Sequence, residues 1–321
     1  MLGAMPLNLD DLERAQRLVY QHMAPTPQYA WPLLCQALGR ETWVKHENHT
    51  PTGAFKVRGG LTYLDALSRR HAPPAQLITA TRGNHGQSIP FAASRFGLKT
   101  TVLVPQGNST EKNAAMQAWG ATLEVFGDDF DAARAEAERR AAEGEAEMVP
   151  SFHNDLILGV ATYGLELMTA VADLDAIYVP IGMGSGICSL IRVRDALGVR
   201  TDIVGVVSDA ADAMARSVEQ GRIVETATAN TLADGMACRV PHPEAFAEIQ
   251  RGAARIVRVS DAEVAEAIRL LYRATHNVAE GAGAAACAAA ALERARGGRV
   301  AVILTGGNID SDQLADILSA G

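Results

Sequence analysis

Lysine is scarce in this chain. Of its 29 basic residues only Lys45, Lys56, Lys99 and Lys112 are lysines, so chemistry that needs a primary amine has few candidates. Lys56 stands in Thr52-Gly53-Ala54-Phe55-Lys56-Val57-Arg58-Gly59-Gly60, an apolar, glycine-flanked segment that enters a helical pattern. Burial and a helix N-terminus both disfavour an ammonium ion, which prepares an amine for Schiff-base chemistry. The plainer alternative is a part-buried lysine whose stem packs on apolar surface. Lys99, in a helix-to-strand turn, and Lys112, in the first turn of a helix, read as solvated; Lys45 lies on a strand without glycine-rich neighbours.

Three loops carry glycines where a strand gives way to a helix. Pro180-Ile181-Gly182-Met183-Gly184-Ser185-Gly186 can turn several backbone amides toward one anion, phosphate above all. Its spacing matches neither the P-loop nor the dinucleotide fingerprint, and a tight structural turn is the alternative. Thr81-Arg82-Gly83-Asn84-His85-Gly86-Gln87 suits a carboxylate at a helix N-terminus, or else is an ordinary turn capped by Asn84. Leu304-Thr305-Gly306-Gly307-Asn308 ends the last strand pattern. His46-Glu47-Asn48-His49 spaces its histidines three apart and precedes Pro51, unlike the four-residue spacing of a zinc-protease helix, so a pocket-lining or solvated role is expected.

These loops need a scaffold, and short β-branched runs alternating with Ala-rich amphipathic runs supply one. Strands are expected at 42–45, 77–81, 100–104, 122–126, 176–179, 203–207 and 300–304. Helices are expected at 86–96, 111–119, 130–142 and 261–273, the last opened by a Ser260/Glu263 capping box. Repeated strand–helix alternation means an α/β fold with mostly parallel sheets, whose ligands sit beyond the carboxyl ends of strands. The first 75 residues read as one long helix, one strand and an unusual loop, and the Ala-rich run 282–291 as a closely packed helix.

Composition narrows the function classes. A net charge of −8 over 321 residues argues against nucleic acid or an anionic membrane as partner. No apolar run is long enough to span a bilayer, and the acidic opening MLGAMPLNLDDLERAQ lacks a signal-peptide pattern. Cys35, Cys188, Cys238 and Cys287 are far apart, so free thiols and a cytoplasmic location are expected.

The lysine segment and the three loops, in this order and over nearly the whole chain from Lys45 to Asp310, resemble the fold-type II pyridoxal phosphate enzymes. Within them they resemble the threonine/serine dehydratase and serine racemase branch. The resemblance implies two parallel-sheet α/β domains of the tryptophan synthase β-like fold. Residues 1–75 and 151–321 would form a large cofactor-binding domain and 76–150 a small substrate-loop domain, in a homodimer. It implies pyridoxal 5'-phosphate held by Lys56, with Phe55 against its ring, Asn84 facing its 3'-oxygen and Thr305 beside its pyridine nitrogen. Gly182, Met183, Gly184, Ser185 and Gly186 would cradle the phosphate, with Gly184 approaching so closely that a β-carbon would block an amide. Thr81, Arg82, Gly83, Asn84 and His85 would hold an amino acid substrate, and Gly235 and Glu280 would line the pocket.

Departures from the family pattern shape the expectation. Met183 and Ser185 interrupt a run of glycines, as in dehydratases associated with hydroxyectoine breakdown. Arg82 stands where many relatives have Ser or Ala, and Val207 where some carry a metal-binding Glu, so no metal is expected. The chain ends soon after Asp310, which leads us to expect a catabolic member without an appended regulatory domain. The implied reaction is β-elimination of threonine or serine to a 2-oxo acid and ammonia. Alternatives are a bulkier or acidic β-hydroxy amino acid (phenylserine, hydroxyaspartate), an amino-acid racemase, or a sensor without turnover.

Overall fold

The computed structural model describes residues 7–320; Met1–Pro6, at the head of the N-terminal stretch read above, and Gly321 lie outside the described residues. The chain begins with α1 (Leu9–Val19), β1 (Gln28–Ala30), α2 (Pro32–Leu38), β2 (Thr42–His46) and α3 (Lys56–Ser68). A block of alternating elements follows: β3 (Gln76–Ala80), α4 (Asn84–Arg95), β4 (Lys99–Val104), α5 (Thr110–Ala118), β5 (Ala121–Val125), α6 (Phe130–Ala142) and β6 (Glu147–Met148). The second block comprises α7 (Asn154–Ala170), β7 (Ala176–Pro180), α8 (Ser185–Leu197), β8 (Asp202–Ser208), α9 (Ala213–Gln220), α10 (Pro243–Gly252), β9 (Arg255–Val259), α11 (Asp261–Thr275), α12 (Gly281–Leu292), β10 (Val300–Leu304) and α13 (Ser311–Ser319).

Two sheets result. The larger has the order β1-β2-β10-β7-β8-β9 and the smaller β5-β4-β3-β6. All pairings are parallel except β1 with β2. Parallel strands covered on both faces are apolar throughout, and β10, Val-Ala-Val-Ile-Leu, is buried along its whole length. The last strand of the chain thus lies at the centre of the large sheet, between β2 and β7.

Helix packing depends on small residues at two places. α12 is almost entirely Ala and Gly and buried from Gly281 to Ala290, where it covers β10 and β7. A β-carbon on Gly283 would stand 2.2 Å from the Gly306 carbonyl oxygen, so the helix lies against the loop beyond β10. α3 and α7 likewise meet backbone to backbone: a β-carbon on Gly159 would fall 2.1 Å from the Arg58 carbonyl oxygen. α11 opens with the expected capping box, Ser260 and Glu263 each bonding the other's backbone amide.

Three strands were not anticipated. β1 has three residues and β6 two, too short for a period. β9, Arg-Ile-Val-Arg-Val, mixes two arginines with apolar residues at a sheet edge and is only half-buried over most of its length. The opening 75 residues also hold more than one helix and one strand, because α2 starts on Pro32 and ends on Gly39, whose φ of 67° favours glycine.

Candidate active site

Every site residue named from the sequence lines one cavity, between the carboxyl ends of β7 and β10 on one side and of β3 on the other. The segment before α3 is fastened to the loop after β10. Phe55 donates its amide to the Thr305 carbonyl (2.9 Å), Gly307 donates to Gly53 (2.9 Å), and Ala54 bridges Gly306. Lys56 therefore opens α3 directly opposite Thr305. Its ammonium lies 5.5 Å from the Phe55 ring centroid, and that ring meets Tyr163 edge-on. Burial pushes the Lys56 amine down to about 8, against a smaller opposing pull from Glu280. At neutral pH part of this lysine is a free amine, whereas an ordinary lysine is almost wholly charged.

Two helix N-termini point donors into the same space. Along 182–187, where the chain enters α8, the backbone amides have no protein acceptor among the described residues; the first amide bonded in this stretch is that of Cys188, to Gly184 (3.0 Å). That is a seat for an oxyanion with several charges. Gly184 has φ 102°, so its left-handed conformation bends the loop. Its missing β-carbon faces away from the seat, since an added one would press on Ala245 at 2.8 Å. The expectation that a side chain there would block an amide is corrected: backbone conformation and the close pass of α10 require the glycine.

At the second N-terminus Gly83, not Asn84, caps α4. Asn84 is already helical and turns its side chain sideways, which overturns the capped-turn alternative. Its amide donates to Glu280 Oε1 (2.6 Å), and its carbonyl accepts from Asn308 (2.8 Å), which also donates to the Thr52 carbonyl (2.8 Å). This relay ties the lysine loop, the loop after β10, α4 and the start of α12 into one frame. Burial pushes the Glu280 carboxyl up to about 7 despite the attraction of Lys112. The amides of Asn84 and His85 have no protein acceptor among the described residues. His85 is buried, with Nε2 unpartnered. Burial and the nearby Lys56 charge hold its imidazole down at about 3, so it is neutral and can accept a hydrogen bond from a ligand.

Other readings from the sequence change. Lys112 is not solvated: only 11% of its side chain is exposed, and its ammonium pairs with Asp234 (2.6 Å) across the cavity mouth. Lys45 is wholly buried and pairs with Glu166 (2.6 Å). In the His46-Glu47-Asn48-His49 segment, His46 and Glu47 are buried, and Glu47 binds Arg58 rather than lining the pocket or facing solvent. Sequence reasoning missed Lys112, Asp234, Met236, Cys238, Phe130 and Ser151 as wall residues. Lysine scarcity could have flagged Lys112, and the neighbouring Gly235 could have flagged Asp234.

The donor set fits a cofactor that joins an aldehyde to a phosphate: a depressed amine, a multi-amide seat, and an unpartnered imidazole nitrogen share one cavity. Residues 19–306 match the family described as pyridoxal-phosphate dependent enzyme. The chain is 30% identical to an L-threonine ammonia-lyase of Thermotoga maritima, over 98% of this chain and 79% of that one. The processed form of threonine deaminase isoform 2 from Solanum lycopersicum superposes with a TM-score of 0.88 at 25% identity, covering 99% of this chain and 98% of that one. Serine racemase from Dictyostelium discoideum superposes with a TM-score of 0.85 at 26% identity, over 95% and 99%.

Proposed function

The chain belongs to the pyridoxal-phosphate dependent enzymes, and on that premise we propose that it eliminates the β-hydroxyl of threonine or serine to give a 2-oxo acid and ammonia. The observation that carries the reading is the meeting, in one cavity, of the depressed Lys56 amine with two separate anion seats. Pyridoxal phosphate, when bound, supplies an electron sink for the α-carbon. Lys56 would hold it and, once freed, take the α-proton as a base whose affinity lies close to working pH. The amides of 182–187 would hold its phosphate, and those of Asn84 and His85 the substrate carboxylate. Thr305, a neutral hydroxyl, cannot keep a pyridine nitrogen protonated as a carboxylate would, which favours prompt loss of the β-hydroxyl. Glu280 sits where a proton can be held near neutral pH, fixed by Asn84.

Arg82 favours elimination over racemisation. Inversion needs a second acid–base group on the face opposite Lys56, and a guanidinium does not release its proton near neutral pH. We propose further that the β5-β4-β3-β6 sheet and its helices, residues 76–150, carry the substrate loop while the remainder carries the cofactor. The protein would work in the cytoplasm, which its four free cysteines support, as a homodimer. No helix among the described residues is long and apolar enough to cross a membrane. The test is incubation of the reconstituted protein with L-threonine and L-serine, with 2-oxo acid and amino-acid chirality both measured. Release of 2-oxo acid without inversion is expected. Inverted amino acid formed as fast as the keto product, or no keto product at all, overturns the reading.

A further inference from the structure

Two residues beyond Lys56, on the far side of α3, a buried cluster of four charges closes on itself. Arg58 is fully buried and uses all its nitrogens. Nε donates to Glu47 (2.7 Å), Nη1 to Glu166 (2.6 Å) and Thr162 (2.9 Å), and Nη2 to Glu47 (3.0 Å), Glu166 (3.0 Å) and Thr26 (3.1 Å). Lys45 binds the other side of Glu166 (2.6 Å) and the Thr26 carbonyl (2.8 Å), and Tyr20 donates to Glu166 (3.0 Å). Two cations thus meet two carboxylates, and the cluster reaches α3, α7, β2 and the residue after α1. In an α-helix, positions i and i+2 face roughly opposite ways, about 200° apart. Arg58 therefore grips the back of the turn whose front carries Lys56.

We infer that Arg58 is a positioning residue for Lys56: its fork, locked by Glu47, Glu166 and Thr162, fixes where the first turn of α3 stands and so where the lysine amine projects into the cavity. Backbone contacts at Gly59, Gly60 and Gly159 set how closely this turn lies against α7 and α4, and Phe55 fastens its entry to Thr305. Ser88 holds the Lys56 carbonyl (2.7 Å), and Thr62 reaches the Asp155 carbonyl (2.6 Å) one turn further on. Rotation of α3 about its axis is resisted by the guanidinium, whose planar fork a lysine cannot reproduce. The inference rests on Lys56 as the reacting amine but not on which substrate is used.

The test follows the Lys56 amine in the apoprotein, so it stands apart from any assay of turnover. Labelling of Lys56 by a small acylating reagent is measured against pH, with peptide mass spectrometry resolving the four lysines. The titratable groups facing this amine are Glu280, from the start of α12, and His85, from α4; neither is altered in the variants. Arg58→Lys keeps the charge and loses the fork, and Thr162→Val removes the hydroxyl that accepts from Arg58 and donates to the Gly159 carbonyl (2.7 Å) with little change of shape. Both are expected to move the labelling midpoint upward by about 0.5 pH unit or more, as the amine gains solvent. In reconstituted enzyme kcat is expected to fall about 10-fold with KM less affected. Glu248→Gln breaks an equally buried clamp, the Arg192–Glu248 pair between α8 and α10 (2.8 Å), which does not touch α3. It should lower the melting temperature and leave the midpoint in place. If Arg58→Lys does not fold, Thr162→Val decides. An unmoved midpoint in a folded Arg58→Lys or Thr162→Val protein, or an equal movement in Glu248→Gln, overturns the inference.

Discussion

Replacing the central lysine should make the apoprotein more stable, and by an amount that depends on pH. Lys56→Met keeps the unbranched stem and removes the amine. The fall of the amine from an ordinary 10.5 to about 8 corresponds to about 3 kcal/mol, at ~1.36 kcal/mol per tenfold change in proton affinity. The sign follows from proton counts. Between pH 8 and 10.5 the unfolded chain holds a proton on this lysine that the folded chain has shed, so native stability rises with pH across that window. Below pH 8 the cost of burying the ammonium is fully present; above 10.5 it is gone. Lys56→Met should therefore exceed the parent by about 3 kcal/mol at pH 7.5 and by little at pH 10.5. The attraction of Glu280 is already contained in the fall of the amine, and what the gap at one pH also carries is the pH-independent difference in packing between a lysine stem and a methionine. The change between pH 8 and 10.5 is thus the cleaner quantity. Urea titrations of both apoproteins across that range measure it, and the other lysines cancel in the difference. A gap of the same size at both pH values would refute the reasoning.

Other expectations follow from particular contacts. Gly159→Ala sets a β-carbon 2.1 Å from the Arg58 carbonyl oxygen, and should cost more than about 2 kcal/mol, seen as a lowered denaturation midpoint. A midpoint unchanged by that substitution would mean that α3 and α7 are not in backbone contact. Gly184→Val should lower both thermal stability and the cofactor retained after dialysis, because φ there is 102° and Ala245 is 2.8 Å away. Adding Ala245→Gly should restore only part of each, since it relieves the contact and not the backbone strain; full restoration would assign everything to crowding. His85→Gln should remove an acid sensitivity: the folded imidazole protonates only near pH 3, the unfolded one near 6.5. The parent should therefore lose about 2 kcal/mol more than the variant between pH 7 and pH 5, by denaturant titration at each pH. Equal losses would show that His85 is charged in the native state.

Much of the scaffold was legible because strands such as β3, β7 and β10 are short, largely apolar runs and the loop at the carboxyl end of each carries glycine. The strand at 300–304 and the helix at 130–142 were read to the residue. The elements that escaped lack a period: β6 has two residues, and β9 interrupts its apolar face with arginines. In the site, local context singled out Lys56, since burial of a glycine-flanked amine is a property of its own segment. The same logic misplaced Lys112, whose ion-pair partner, Asp234, lies on a segment far along the chain. Glu47 shows this limit most sharply. Beside two histidines it invited a metal reading, yet its partner is Arg58, brought near only when the lysine segment folds into α3. Tertiary ion pairs leave no spacing in the sequence.

The central place of β10 governs the order in which this molecule can be completed. Its two neighbours, β2 and β7, touch in the large sheet only through it. During synthesis the segment carrying β1 and β2 and the segment carrying β7, β8 and β9 emerge first, each with an unsatisfied edge facing the other. Such edges recruit strands from other chains, so the interval before β10 arrives is the one most exposed to aggregation. Pairing across so long a stretch of chain closes a large loop and is slow. The same event delivers Thr305, Gly306 and Gly307 to the lysine segment. A nascent chain lacking its last strand thus has an unfinished sheet and an unfinished cavity together. Quality control that senses open strand edges therefore also senses whether the lysine has found its opposite wall.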